Sequence, residues 1–69
     1  MRVDVLTIAD SGHYVVLIVN EELKKATTVH EECSGKKGRS RDHAITARVN
    51  AIARGKEIAA VLGCPIRVP

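Results

Sequence analysis

The chain has no tryptophan and no phenylalanine, and Tyr14 is its one aromatic residue. Any core it forms must therefore be aliphatic. The same absence counts against readers of single-stranded nucleic acid, which stack bases on aromatic platforms. Cysteine is nearly as scarce. Cys33 and Cys64 could make at most one bridge, which is no disulfide framework, and two reduced thiols in a cytoplasmic protein are expected instead. No apolar run approaches the length of a membrane span, so no membrane partner is expected. The chain opens directly on strand-like sequence, so no targeting segment is expected either.

What is present in quantity is aliphatic. Hydrophobic residues fill 45% of the 69 positions, too many for a disordered chain. This length predicts a single domain, residues 1–69, that buries a modest fraction of its surface and needs a staple or a partner. The net charge is +3, but it is local. Lys36, Lys37, Arg39 and Arg41 hold four of the eleven basic residues, and the remaining seven stand against eight acidic ones. The basic character therefore belongs to one short run and not to the whole surface.

Residues 2–9, RVDVLTIA, read as a strand with Val3, Val5 and Thr7 on one face and Leu6 and Ile8 on the other. DSG at 10–12 is turn chemistry. Residues 13–20, HYVVLIVN, read as a second strand, with Tyr14, Val16 and Ile18 on one face and Val15, Leu17 and Val19 on the other. A polar turn at 20–22 leads to a weaker third strand, LKKATTVH, at 23–30. Links this short favour an antiparallel meander.

EECSGKKGRS at 31–40 reads as a loop. Ser40 suits an N-cap and Asp42 suits the positive end of a helix dipole. Residues 41–62 then read as a helix, with alanine at 44, 47, 51, 53, 59 and 60, and with Gly63 and Pro65 to end it. Its larger apolar residues are Ile45, Val49 and Ile52 before Gly55, and Ile58, Val61 and Leu62 after it. The stripe rotates between the two sets, which marks Gly55 as a kink or a break. Small residues at 44, 47, 51 and 55 permit close approach by another element, normally the core. CPIRV at 64–68 reads as a short fourth strand, able to return parallel to a central strand by a right-handed crossover. The fold class is α+β: a three-stranded antiparallel meander, one long C-terminal helix and a short last strand.

One helix cannot cover both faces of such a sheet. The first two strands are apolar on both faces, whereas a sheet with one wet face should alternate apolar and polar residues. A second surface is expected over the spare face, most simply another copy of the chain. Tyr14, Val16 and Ile18 are the residues expected to carry that dimer or partner contact.

The chemistry concentrates in the loop. If Ser40 caps the helix, the loop ends where backbone N–H groups lack intrahelical partners, and such an end attracts anions. Lys36, Lys37, Arg39, Ser40 and Arg41 are the expected phosphate-binding residues, and contacts of this kind hold a duplex without reading its sequence. His30, Cys33, His43 and Cys64 are acceptable zinc ligands by type, but their spacing matches no recognised finger. No metal and no other cofactor is expected. No third group is visible to complete a Cys–His nucleophile. His13 beside Asp10 reads as a hairpin end, and the acidic pairs Glu21–Glu22 and Glu31–Glu32 read as solvated turns.

SGKKGRSRDHAITARVNAIA, residues 34–53, resembles the last strand-to-helix passage of double-stranded-RNA-binding domains. The shared features are a glycine-containing loop, a serine and basic residues at the start of an alanine-rich helix. The resemblance implies that Lys36, Lys37, Arg39 and Arg41 contact phosphates across a groove. Asp42 and His43 depart from that family's basic pattern, and its first helix has no counterpart here. The β-β-β-α order is also similar to the small DNA-binding domains of some phage integrases, whose sheet enters the major groove; Lys24 and Lys25 would be its cations. A third resemblance is to the front half of a ribonuclease H-like fold, with Asp10 as the first-strand carboxylate. The helix offers Arg48 and no early glutamate, and paired metal-ion hydrolysis needs several converging carboxylates. The expectation is thus a non-enzymatic nucleic-acid binder. Its rival is a small interaction module, similar to phage accessory proteins, that inhibits or adapts a larger host or partner protein.

Overall fold

The computed structural model describes the backbone of residues 1–8, 12–33 and 41–69, and their side chains except at 41–44. The elements follow as β1 (Arg2–Ile8), β2 (His13–Asn20), β3 (Lys25–Cys33), α1 (Arg41–Leu62) and β4 (Ile66–Arg67). They form one sheet in the order β3-β2-β1-β4. β1 and β3 pair antiparallel with β2, and β4 lies parallel to β1. The α+β class, the meander, the long helix and the short last strand all match the reading of the sequence.

Register decides which side chains share a face. Val5 pairs with Val16, Val3 with Ile18 and Thr7 with Tyr14. This is the face that α1 covers. Val3, Val5 and Val16 are fully buried there and form the core with Ala51 and Ala59. Tyr14, Ile52, Ile58, Cys64 and Ile66 pack around its margin. The face expected to carry a partner through Tyr14, Val16 and Ile18 is therefore the face that the helix occupies. Val16, with 0% exposure, has no surface left to offer a partner. The cause is that both faces of β2 are apolar, so alternation alone gives no preference between them. On the opposite face, Leu6 and Ile8 remain 42% and 46% exposed.

The helix presents Ala47, Ala51, Gly55 and Ala59 to the sheet. A Cβ on Gly55 would stand 2.9 Å from Val5 Cγ2 and 3.0 Å from Ile66 Cδ1. Glycine is there because α1 lies too close to the sheet for a side chain. It does not break the helix, which runs unbroken for 22 residues. The rotating stripe has another origin: positions four apart advance about 40° around a helix at each step. A seam of such positions winds around α1, so larger residues fall on one flank before Gly55 and on another after it.

Two local motifs set the remaining boundaries. Cys64 N–H donates to the Ala59 carbonyl at 3.1 Å, and Gly63 has φ 65°. This is a Schellman end, in which glycine takes the left-handed conformation without a Cβ penalty. Val3 N–H then donates to Pro65 O at 2.9 Å and docks the returning chain on β1. Between β2 and β3, Asn20 Oδ1 accepts from the N–H groups of Glu22 and Leu23 at 3.1 and 3.2 Å, and Lys24 has φ 53°. That side-chain turn extends the link to residue 24, so β3 starts at Lys25 and not at Leu23. It runs on to Cys33 and takes in Glu31 and Glu32, which were expected in a turn. His30 pairs with Val16 and Thr28 with Leu17, so Val29 is the extra residue of a β-bulge.

Gly55→Ala tests the close approach. Helix propensity favours alanine by about 1 kcal/mol, whereas overpacking a filled core costs about 1–3 kcal/mol. The neighbours are a β-branched valine and an isoleucine end, so the clash dominates. A lower denaturation midpoint is expected for Gly55→Ala, and a still lower one for Gly55→Val, measured by chemical unfolding.

Candidate functional site

Lys36, Lys37, Arg39 and Ser40 lie outside the described residues. Arg41 is the first residue of α1, and its side chain lies outside them too, as does that of His43. The backbone fact that bears on the site is the start of the helix. Because α1 begins at Arg41, the cationic run directly precedes its N-terminus along the chain. The first N–H groups of a helix have no intrahelical acceptor, and its dipole favours negative charge at that end.

Three described arginines elsewhere in the fold are already engaged. Arg2 Nε donates to both carboxylate oxygens of Asp4, at 3.0 and 3.1 Å, and its Nη1 donates to Glu21 Oε1 at 2.6 Å. The bond to Asp4 first, and the bond to Glu21 second, raise the Arg2 guanidinium above its ordinary pKa. Arg54 pairs with Glu57 at 3.0 Å on α1, and Arg48 Nη2 donates to Pro69 O at 3.2 Å. Lys24 stands in the β2–β3 turn and Lys25 opens β3, both exposed. They make two adjacent cations at one end of an edge strand.

Two histidine–carboxylate pairs sit on opposite faces of the sheet. His13 Nε2 lies 3.2 Å from Glu31 Oε2 on the face away from α1. His30 Nε2 lies 2.8 Å from Glu32 Oε2 on the helix side. His13 thus has Glu31 as its partner across the strands. Cys33 and Cys64 are both thiols. Among the described residues, no three His, Cys, Asp or Glu side chains come together as metal ligands. Among them, too, no helix is long and apolar enough to cross a membrane.

Two features escaped the reading of the sequence. Asp4 is only 6% exposed although it faces away from α1. The signal was there: a single acid inside an otherwise apolar strand, two residues after an arginine. The second is an apolar groove of about 260 Å³ between β2 and the last turns of α1, lined by Ile18, Ile58, Val61 and Leu62 with Arg54 and Glu57. No protein-family model matches the chain, and no curated protein or solved structure matches it either.

The Arg2–Asp4 pair has a testable asymmetry. Removing the guanidinium leaves a buried carboxylate without its charge partner, which costs more than losing both charges together. Arg2→Gln is expected to lower the thermal midpoint at neutral pH. The double variant Arg2→Gln/Asp4→Asn is expected to recover part of the loss, as read by circular dichroism melts.

Proposed function

We propose that the chain is a non-enzymatic, cytoplasmic nucleic-acid-binding module that holds duplex phosphates with Lys36, Lys37, Arg39, Ser40 and Arg41. The observation that carries this reading is the start of α1 at Arg41, immediately after the run. Four cationic side chains and the free N–H groups of a helix end then belong to one short stretch of chain. Charge supports the same reading, since the rest of the sequence holds seven basic against eight acidic residues. The scarcity of aromatic residues, with Tyr14 alone, favours a duplex over single strands, and a phosphate grip of this kind carries little sequence preference.

Salt dependence is the test. Four phosphate contacts give a slope of log K on log salt of about −3.6, or roughly 100-fold weakening between about 50 and 200 mM salt. Fluorescence anisotropy with a labelled duplex is expected to show that slope. Replacing Lys36, Lys37, Arg39 and Arg41 together by alanine is expected to abolish binding at low salt. A wild-type chain that binds neither DNA nor RNA duplex at low salt ends this reading.

A second reading is supported by the groove at the end of α1. Val61 is 86% exposed beside Ile18, Ile58 and Leu62, and apolar surface of this kind suits docking on a larger protein. Under that reading the chain is an interaction module, similar to phage accessory proteins, and binds no duplex.

A further inference from the structure

We infer that the sheet face turned away from α1 is self-complementary, and that a second copy of the chain packs on it sheet against sheet, with Glu31 of each protomer opposite Arg67 of the other. The register lays this face out in rows. Leu6 pairs with Val15, which pairs with Glu31. The next row holds Arg67, Asp4, Leu17 and Thr28. Ile8 and Val19 lie in the rows beyond. The apolar residues of the face are therefore Leu6, Val15, Leu17, Val19 and Ile8, of which Val15 is already buried at 5% exposure and Leu17 and Val19 are half-buried. Leu6 and Ile8 keep nearly half of their surface exposed. A face built to meet water would alternate apolar and polar residues along each strand.

The borders of the face choose the occupant. Glu31 lies on the β3 edge with its side chain mostly exposed and one oxygen on His13 of the same chain, and Arg67 lies exposed on the β4 edge. One face thus carries an acid on one border and a base on the other, one row apart. A two-fold axis running along the strands lays β3 of one copy over β4 of the other. It brings Glu31 towards Arg67 twice, as an isologous contact requires. An axis across the strands would stack like borders, acid on acid and base on base. Charge therefore selects the strand-parallel arrangement, which is also the aligned packing common to sheet sandwiches. Asp4 adds no unpaired charge beneath a partner, because Arg2 holds both of its oxygens.

The size of the face sets the strength. Strands about 4.8 Å apart, each rising about 3.3 Å per residue, give at most roughly 400 Å² of flat face per protomer, and Asp4 and Val15 are already out of water within it. Two such faces fall below the roughly 1,200 Å² of a standard stable interface. The dimer is thus weak: it is populated at high micromolar concentration and dissociates on dilution. α1 stays on the outer side of each sheet.

Sedimentation equilibrium of the full chain, without nucleic acid, tests this directly. The apparent mass is expected to rise with concentration from 7.5 kDa towards twice that value. Leu6→Lys, and Ile8→Lys as a second variant, are expected to stay monomeric with unchanged circular dichroism. Glu31→Lys and Arg67→Glu are each expected to weaken association roughly tenfold, and their combination to restore it. A chain that is monomeric at high micromolar concentration overturns the inference. So does a dimer that survives Leu6→Lys and Ile8→Lys but is lost on Val49→Lys in α1, or a double charge swap that fails to recover. None of these results touches the salt test of duplex binding.

Discussion

The close approach of α1 to β1 at Gly55 sets the geometry of the rest. With no tryptophan or phenylalanine, the core is made of valine and alanine, with isoleucines, Tyr14 and Cys64 at its margin. Such side chains fill little space, and close packing then requires the layers to sit near each other. Alanine at 47, 51 and 59 and glycine at 55 allow it. Glycine in mid-helix weakens the helix by about 1 kcal/mol relative to alanine, but a Cβ there would meet Val5 and Ile66. Packing outweighs propensity at that one position.

The thin core has a consequence for the surface. When the sheet-facing seam of α1 is reserved for small residues, the larger ones are displaced to its flanks. Ile45 and Val49 are exposed on one side, and Val61 and Leu62 on another. An ordinary amphipathic helix buries its large apolar residues and shows water its polar ones. Here the apolar positions spread around the axis, because the seam itself winds with its four-residue spacing. The groove beside Ile18 follows from the same cause. Candidate contact surfaces and the economy of the core are thus two results of one composition.

Periodicity and end chemistry were enough to place β2 at 13–20 and α1 at 41–62. Both have strong local signals: a β-branched run in one, alanine with a glycine stop in the other. β3 was displaced because its start depends on a side-chain turn at Asn20 and a left-handed Lys24, and neither has a periodic signature. Glu31 and Glu32 resembled turn residues by composition, yet the ladder pairs them with Val15 and Tyr14. The covered face was illegible for a physical reason. Strands apolar on both sides fit a helix on either, and only the crossover through α1 to β4 settles which. Gly55 was singled out correctly, but its role lies in a contact some fifty residues distant in sequence, with Val5, that a local reading could not supply.

The edges of the sheet explain why association should run through its face. An open edge presents unpaired N–H and C=O groups and invites further strands. On one side, β3 carries Lys25 and a bulge at Val29, and both discourage continuous pairing. On the other, β4 is two residues long and stands between Pro65 and Pro69, which have no N–H to donate. Neither edge offers a long ladder. The apolar face offers more, since Leu6, Leu17 and Ile8 gain from any contact that removes water. Its bordering charges, Glu31 and Arg67, then add orientation to an attraction that by itself has none.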